Sequence, residues 1–240
     1  MKKKYTHIFF DLDNTLWDFK TNSLHALQNA FDYFELEKQN TNFHKFFEVY
    51  SKHNHQLWEA YRNKQVRKGQ LTNQRFQLTF DELGITGIDA DEMNIVYLAE
   101  MPEQTKLVEG AIELLDYLKA RKYKLFIITN GFKEVQQKKM RNSGLQPYFE
   151  KVFISEEVQA PKPDPLIFEY AIKSSNAKKA LSLMVGDDWD VDIIGALRAG
   201  INAVYLQPSN LSGNIFTSHK DQNSTNVSIL KNLKELVNEL

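Results

Sequence analysis

Four short apolar runs recur along this chain, and each ends abruptly in polar residues. They are THIFFDLD at 6–13, KLFIITNG at 124–131, LSLMVGDD at 181–188 and INAVYLQP at 201–208, with a weaker one, KVFIS, at 151–155. Runs this short, without a helical period, fit strands buried on both faces, as in a parallel sheet. Amphipathic helical stretches at 110–121, 133–143, 165–175 and 190–199 are interleaved with them. The alternation predicts βαβ units and an α/β fold, a doubly wound parallel sheet. Such sheets bind ligands outside the carboxyl ends of their strands. Asp11, Thr129 and Asp187 each fall where a predicted strand ends.

The interval 17–102 breaks the rhythm, being rich in Gln, Asn and aromatic residues with no strand pattern. Phe43, Phe47, Tyr50, Leu57 and Tyr61 fall near one helical face, and LTNQRFQLTFDELG continues the theme to Gly84, a C-cap residue type. A helical domain at 17–102 is therefore expected between the two parts of an α/β core, 1–16 and 103–240, with crossings near Leu16–Asp18 and Pro102–Glu109. Arg62, Lys64, Arg67, Lys68 and Arg75 make it locally basic, which fits a solvated face, and its aromatic stripe, Trp58 included, fits a core. His53 and His55 stand two apart on a helix and face apart, so they do not form a joint metal site. The polar stretch 209–226 reads as a loop, and VSILKNLKELVNEL as a closing amphipathic helix. An apolar share of 42% supplies a core, and a net charge of -1 gives no footprint for a nucleic-acid polymer or a membrane surface. The chain has no cysteine, no bilayer-length apolar run and no signal-peptide pattern, so a cytoplasmic protein is expected.

The strand ends carry the chemistry. Asp11 and Asp13 flank Leu12, and a turn after Asp11 can bring both carboxylates to one pocket. One carboxylate can attack phosphorus, and a second can pass a proton to the leaving alcohol and take one from water. Two such acids need a cation beside them, and Mg²⁺, bound through carboxylates and phosphate, suits. Thr129, Asn130 and Gly131 offer hydrogen-bond donors to phosphate oxygens. In PKPDP, at 161–165, Pro163 holds Lys162 extended, while Asp164 and Pro165 read as N-cap and first helical residue. A lysine so placed can neutralise phosphoryl charge. VGDDWDVDIIGA sets Asp187, Asp188, Asp190 and Asp192 directly after a buried strand, with Gly186 allowing close approach. Taken singly, each has a plain alternative: a strand-terminal turn, a loop, a solvated lysine, or helix-start acids favoured by the macrodipole.

In order, DxDxT at 11–15, TN at 129–130, KP at 162–163 and GDxxxxD at 186–192 resemble the haloacid dehalogenase superfamily of phosphohydrolases. The resemblance implies a Rossmann-like core with a helical cap inserted after the first strand. It implies Asp11 as nucleophile, Asp13 as general acid and base, and Thr129, Asn130, Gly131 and Lys162 as phosphate-binding residues. Mg²⁺ would be held by Asp11, the backbone carbonyl of Asp13 and Asp187, with Asp188 and Asp192 orienting that shell. Members that cleave carbon–halogen bonds lack the second acid, so Asp13 implies phosphate chemistry. DLDNTLWDF and TNGFKEVQ further resemble the pyrimidine 5'-nucleotidase branch, which implies a small phosphorylated metabolite, a nucleoside monophosphate, as substrate. A sugar phosphate or phosphoglycolate is the alternative, and only the inserted interval can discriminate. A phospho-Asp receiver domain also joins acids, a Thr and a Lys on a doubly wound sheet, but it lacks an insertion like 17–102 and a built-in acid such as Asp13.

Overall fold

The computed structural model describes residues 4–207 and 226–240. The chain divides into two compact units, one of Met1–Phe19 with Lys106–Leu240 and one of Lys20–Thr105.

The first unit is built on a six-stranded, all-parallel sheet: β1 His7–Phe10, β2 Lys124–Thr129, β3 Lys151–Ile154, β4 Ser182–Gly186, β5 Asn202–Leu206 and β6 Val227–Leu230, in the order β3-β2-β1-β4-β5-β6. The doubly wound sheet expected from the apolar runs is therefore present, and KVFIS supplies β3. The chain winds outward from β1 through β2 and β3, then returns to β4 on the other side of β1 and winds the opposite way. That reversal leaves a crevice at the carboxyl ends of β1 and β4. Phe9, Phe126, Phe153, Met184 and Phe168 are buried in the core beside the sheet.

The second unit carries four helices, α1 Phe19–Tyr33, α2 Phe43–Arg62, α3 Lys68–Leu83 and α4 Ala90–Glu100, the first of them beginning one residue before the unit does. Asn42 caps α2 by accepting from Lys45 N–H, Gly84 closes α3 in the left-handed conformation, and Asp89 caps α4. The buried side of α2 is centred on Phe46, Val49, Tyr50 and Leu57, so Phe43 and Phe47 are only half-buried beside it. Arg75 does not belong to a solvated basic face. It is buried, donating to Asn94 at 2.5 Å with the rings of Tyr97 and Phe76 against its guanidinium.

Helices α5 Ala111–Ala120, α6 Lys133–Asn142, α7 Ser155–Val158, α8 Pro165–Ser174 and α9 Ile194–Arg198 complete the first unit. Two expectations are corrected here. The stretch 190–199 is not a single regular helix, because Trp189–Ile193 forms a wide π-type turn before α9 begins. The closing segment is not one helix, since Val227–Leu230 pairs with β5 and only Leu233–Glu239 winds, as a 3₁₀ helix. Its apolar residues Val227, Leu230, Leu233 and Leu236 recur every three positions, a spacing that suits an α-helix and a 3₁₀ helix alike. The loop expected at 209–226 lies outside the described residues except Asn226, whose carbonyl accepts from Ala203 N–H at 3.0 Å. No described helix is long and apolar enough to cross a membrane.

Where the chain leaves and re-enters the first unit, the two crossings pair antiparallel. Val108 N–H donates to Leu16 O at 2.9 Å and Asp18 N–H to Lys106 O at 3.1 Å, with a 3.0 Å ion pair between Lys106 and Asp18 beside them.

Candidate active site

Asp11 follows β1 and still donates its backbone N–H to Val185 O at 2.9 Å, so the end of β4 fixes its position. Asp187 follows β4, and Asp192 sits in the π-type turn. Oxygens of these three carboxylates lie within 4.8 Å of one another. A Cβ on Gly186 would collide with the Asp192 side chain, so glycine is required for the turn to lay that carboxylate against the strand end.

Lys162 reaches into this cluster with its ammonium fully used. Nζ donates to Asp11 Oδ1 at 2.5 Å, to Asp192 Oδ1 at 2.6 Å and to Ile128 O at 2.8 Å, matching its three protons. Its backbone is held by Asn130, which accepts from Lys162 N–H at 2.8 Å and donates to Lys162 O at 3.0 Å. The following Lys162–Pro163 peptide bond is cis. Asp164 caps α8 and Pro165 opens it, as the motif predicts. The side chain of Asn130 thus serves the lysine loop, a task its place beside Thr129 did not suggest.

The electrostatics follow from burial. Burial is the largest cause raising Asp11 well above the usual carboxylate range; Lys162 opposes it, while Asp192, Asp187 and Asp13 add repulsion. Asp187 is pushed up to about 7, first by burial and then by Asp192, against the hydrogen bond it accepts from Thr15 at 3.2 Å. Asp192 is raised by burial, with Lys162 opposing. Burial alone would lower Lys162, but Asp11 and Asp192 outweigh it and raise it instead. Three carboxylates against one ammonium leave a formal charge of −2 in a mostly buried site. An all-oxygen donor set with that excess fits a hard divalent cation such as Mg²⁺. Both Asp192 oxygens are engaged, by Lys162 Nζ and by Asp188 N–H, whereas the hydrogen bonds described for Asp11 and Asp187 use Oδ1 alone. Asp11 and Asp187 therefore have an oxygen to offer a metal. Asp188 is exposed and caps the π-type turn, its carboxylate accepting from Asp190 and Val191 N–H at 3.1 Å each.

Asp13 lies apart from the cluster. Its carboxylate accepts from Lys139 Nζ at 2.7 Å and from Gln136 Nε2 at 3.0 Å. Gln136 also donates to Thr129 Oγ1 at 2.7 Å, and Gly131 N–H donates to the same oxygen at 3.3 Å. With its oxygen accepting twice, the Thr129 hydroxyl keeps its proton for an outside acceptor. Lys139 is buried, and burial lowers its pKa despite the opposing pull of Asp13. Neither Gln136 nor Lys139 stood out in the sequence. The available signal was their spacing of three on α6, directly after TNG, which puts both on one helical face.

The pyrimidine 5'-nucleotidase PynA of Streptococcus pneumoniae is 34% identical to this chain over 208 residues, 86% of each chain. The pyrimidine 5'-nucleotidase YjjG of Escherichia coli is 34% identical over 204 residues, 85% of this chain and 86% of its own. A magnesium-bound crystal structure of Bacillus subtilis YfnB, named with the HAD-hydrolases, superposes with a TM-score of 0.83 at 28% identity over 99% of both chains. The family model for haloacid dehalogenase-like hydrolases matches residues 5–200, and the chain belongs to that family.

Proposed function

We propose that the protein is a Mg²⁺-dependent phosphatase that hydrolyses a pyrimidine nucleoside 5'-monophosphate through an aspartyl-phosphate on Asp11. One observation carries the chemistry: the two acids at the end of β1 occupy different environments. Asp11 is buried, bonded to Lys162 and grouped with Asp187 and Asp192. Asp13 is held outside that group by Lys139 and Gln136. One carboxylate is thus equipped to attack and the other to handle protons.

A carboxylate oxygen of Asp11 forms a bond to phosphorus as the bond to the nucleoside oxygen breaks. Asp13 gives that oxygen its proton. In the second half, Asp13 takes a proton from water, the water oxygen bonds to phosphorus, and the Asp11 carboxylate leaves with inorganic phosphate as product. Lys162 steadies the charge on Asp11 and on the transferring group, and the Thr129 hydroxyl donates to a phosphoryl oxygen. Asp11 and Asp187, with the backbone carbonyl of Asp13, would hold Mg²⁺, which offsets phosphate charge so that an anion can approach a carboxylate. Asp192 and Asp188 act by orientation, one on Lys162 and the other on the turn. The magnesium reported for YfnB supports the choice of metal.

Substrate choice is assigned to the unit of Lys20–Thr105, acting as a cap, since the phosphoryl-binding residues all lie in the first unit. PynA and YjjG, both named pyrimidine 5'-nucleotidases, support the nucleotide over a sugar phosphate. The test compares kcat/KM for dUMP and dTMP with phosphoglycolate and hexose phosphates. A nucleotide is expected to lead by tenfold or more, about 1.4 kcal/mol in transition-state binding. A sugar phosphate leading by that margin would remove the nucleotidase assignment and leave the phosphatase chemistry in place.

Metal dependence gives a second expected outcome. Asp187→Ala should raise the Mg²⁺ needed for half-maximal activity by about tenfold or more, whereas Asp190→Ala should leave it near wild type. The raised value of Asp187, about 7, means that its protonated form favours folding. Without metal, that stability is present at low pH and is lost as pH rises through 7. Mg²⁺ should therefore raise the Tm more at pH 8 than at pH 5. Equal increments at the two pH values would contradict the charge account.

A further inference from the structure

Helix α6 carries a buried charge that the chemistry above leaves without a task. Lys139 is only 3% exposed, whereas its neighbour Lys138 is solvated. An ammonium taken out of water costs several kcal/mol unless closely paired. Here the pairing is with Asp13, and the Trp17 ring centroid lies 4.0 Å from Nζ, with that of Phe19 at 5.2 Å. Gln136, fully buried on the same helical face, takes the other Asp13 oxygen and also holds Thr129. A Cβ on Gly131 would overlap the Gln136 side chain, so the glycine leaves room for this reach. Asp13 itself follows the last residue of β1 by three positions and precedes Asn14, which has a positive φ of 59°. Sheet pairing does not fix its side chain. Two donors from one helix do.

We propose that Lys139 and Gln136 are positioning residues for Asp13, a two-pronged clamp that holds its carboxyl group in the orientation needed at the leaving oxygen and ties it through Thr129 to the phosphoryl site. The assignment rests on the phosphatase function proposed above. Neither residue touches substrate in this account. Their effect should follow how far the leaving group depends on a proton from Asp13. A nucleoside leaves as an alkoxide unless it is protonated. 2,4-Dinitrophenol leaves readily as the anion.

The experiment measures kcat and KM of Lys139→Met, Lys139→Arg and Gln136→Leu with dUMP and with 2,4-dinitrophenyl phosphate, at saturating Mg²⁺. The ratio kcat/KM covers events up to departure of the leaving group and so isolates the first proton transfer. For Lys139→Met, a loss of about 10²-fold with dUMP is expected, within the usual range for general acid catalysis, against less than about threefold with the aryl ester. The loss with dUMP should fall on kcat, with KM near wild type, and Lys139→Arg should recover part of it. A merely structural lysine would lower both substrates alike, and that result, or no loss at all, overturns the clamp. If Lys139→Met does not fold, Gln136→Leu carries the same comparison, with a smaller selective loss expected. Wild-type protein inactive on both esters would bring down the phosphatase assignment and the clamp together. Active wild type with an unselective variant brings down the clamp alone.

Discussion

Asp11→Asn is expected to abolish turnover while leaving the metal-free protein at least as stable as the parent. The amide cannot form the acyl-phosphate bond, so kcat should fall by about 10⁴-fold or more, roughly 5 kcal/mol in the barrier. Stability should move the other way because the wild-type cluster is overcharged. Oxygens of Asp11, Asp187 and Asp192 crowd within 4.8 Å; burial raises all three above the usual carboxylate range, and repulsion from Asp192 adds to it at Asp11 and Asp187. Removing one negative charge relieves that repulsion, and Lys162 keeps Asp192 and the Ile128 carbonyl as partners. The gain should be largest above pH 7 and should vanish when Mg²⁺ is added. Substantial phosphate release by Asp11→Asn would end the proposed mechanism, and a large drop in Tm would refute the overcharged-cluster account.

Lys162→Met should damage both properties at once. It leaves two buried carboxylates and a backbone carbonyl without their shared donor. Breaking a buried pair in this way costs about 3–5 kcal/mol. Turnover should fall by about 10³-fold, as for the loss of a preorganised donor at a developing charge. The two losses can be separated. Adding Asp192→Asn to Lys162→Met removes one stranded charge and should recover part of the stability, yet none of the turnover. A double variant as unstable as the single one would show that Asp192 does not depend on Lys162 for charge balance. Recovery of turnover would take Lys162 out of the chemistry.

Most of the strand-end geometry was legible because apolar runs announce where they stop. FFD, IIT and MVGD each mark an edge, and the parallel register carries Asp11, Thr129 and Asp187 to the same, carboxyl end of the sheet. Lys162 was legible through its two prolines. The clamp on Asp13 was not, since in QQKK nothing local tells Lys138 from Lys139; the difference arises only when α6 packs and Trp17 covers one of them. Arg75 hid for the same reason, as a cation whose partners include the amides of Asn54 and Asn94 and the ring of Tyr97, all distant in sequence. The final strand was obscured by the three-residue spacing of Val227, Leu230, Leu233 and Leu236, a pattern that local periodicity assigns to a helix and only pairing with β5 resolves.

The paired crossings at Leu16–Asp18 and Lys106–Val108 bear on how such a chain can change over time. Because the outgoing and returning strands are already laced together, closing the excursion costs an entropy that grows only with the logarithm of its length. The sheet therefore registers whether the two ends meet and is nearly indifferent to what lies between them. A segment bounded in this way behaves as an exchangeable cassette. It can lengthen, shorten or be replaced while Asp11 and Asp187 keep their register, and under the proposed assignment of substrate choice to this segment, selection revises recognition without reopening how the enzyme reacts.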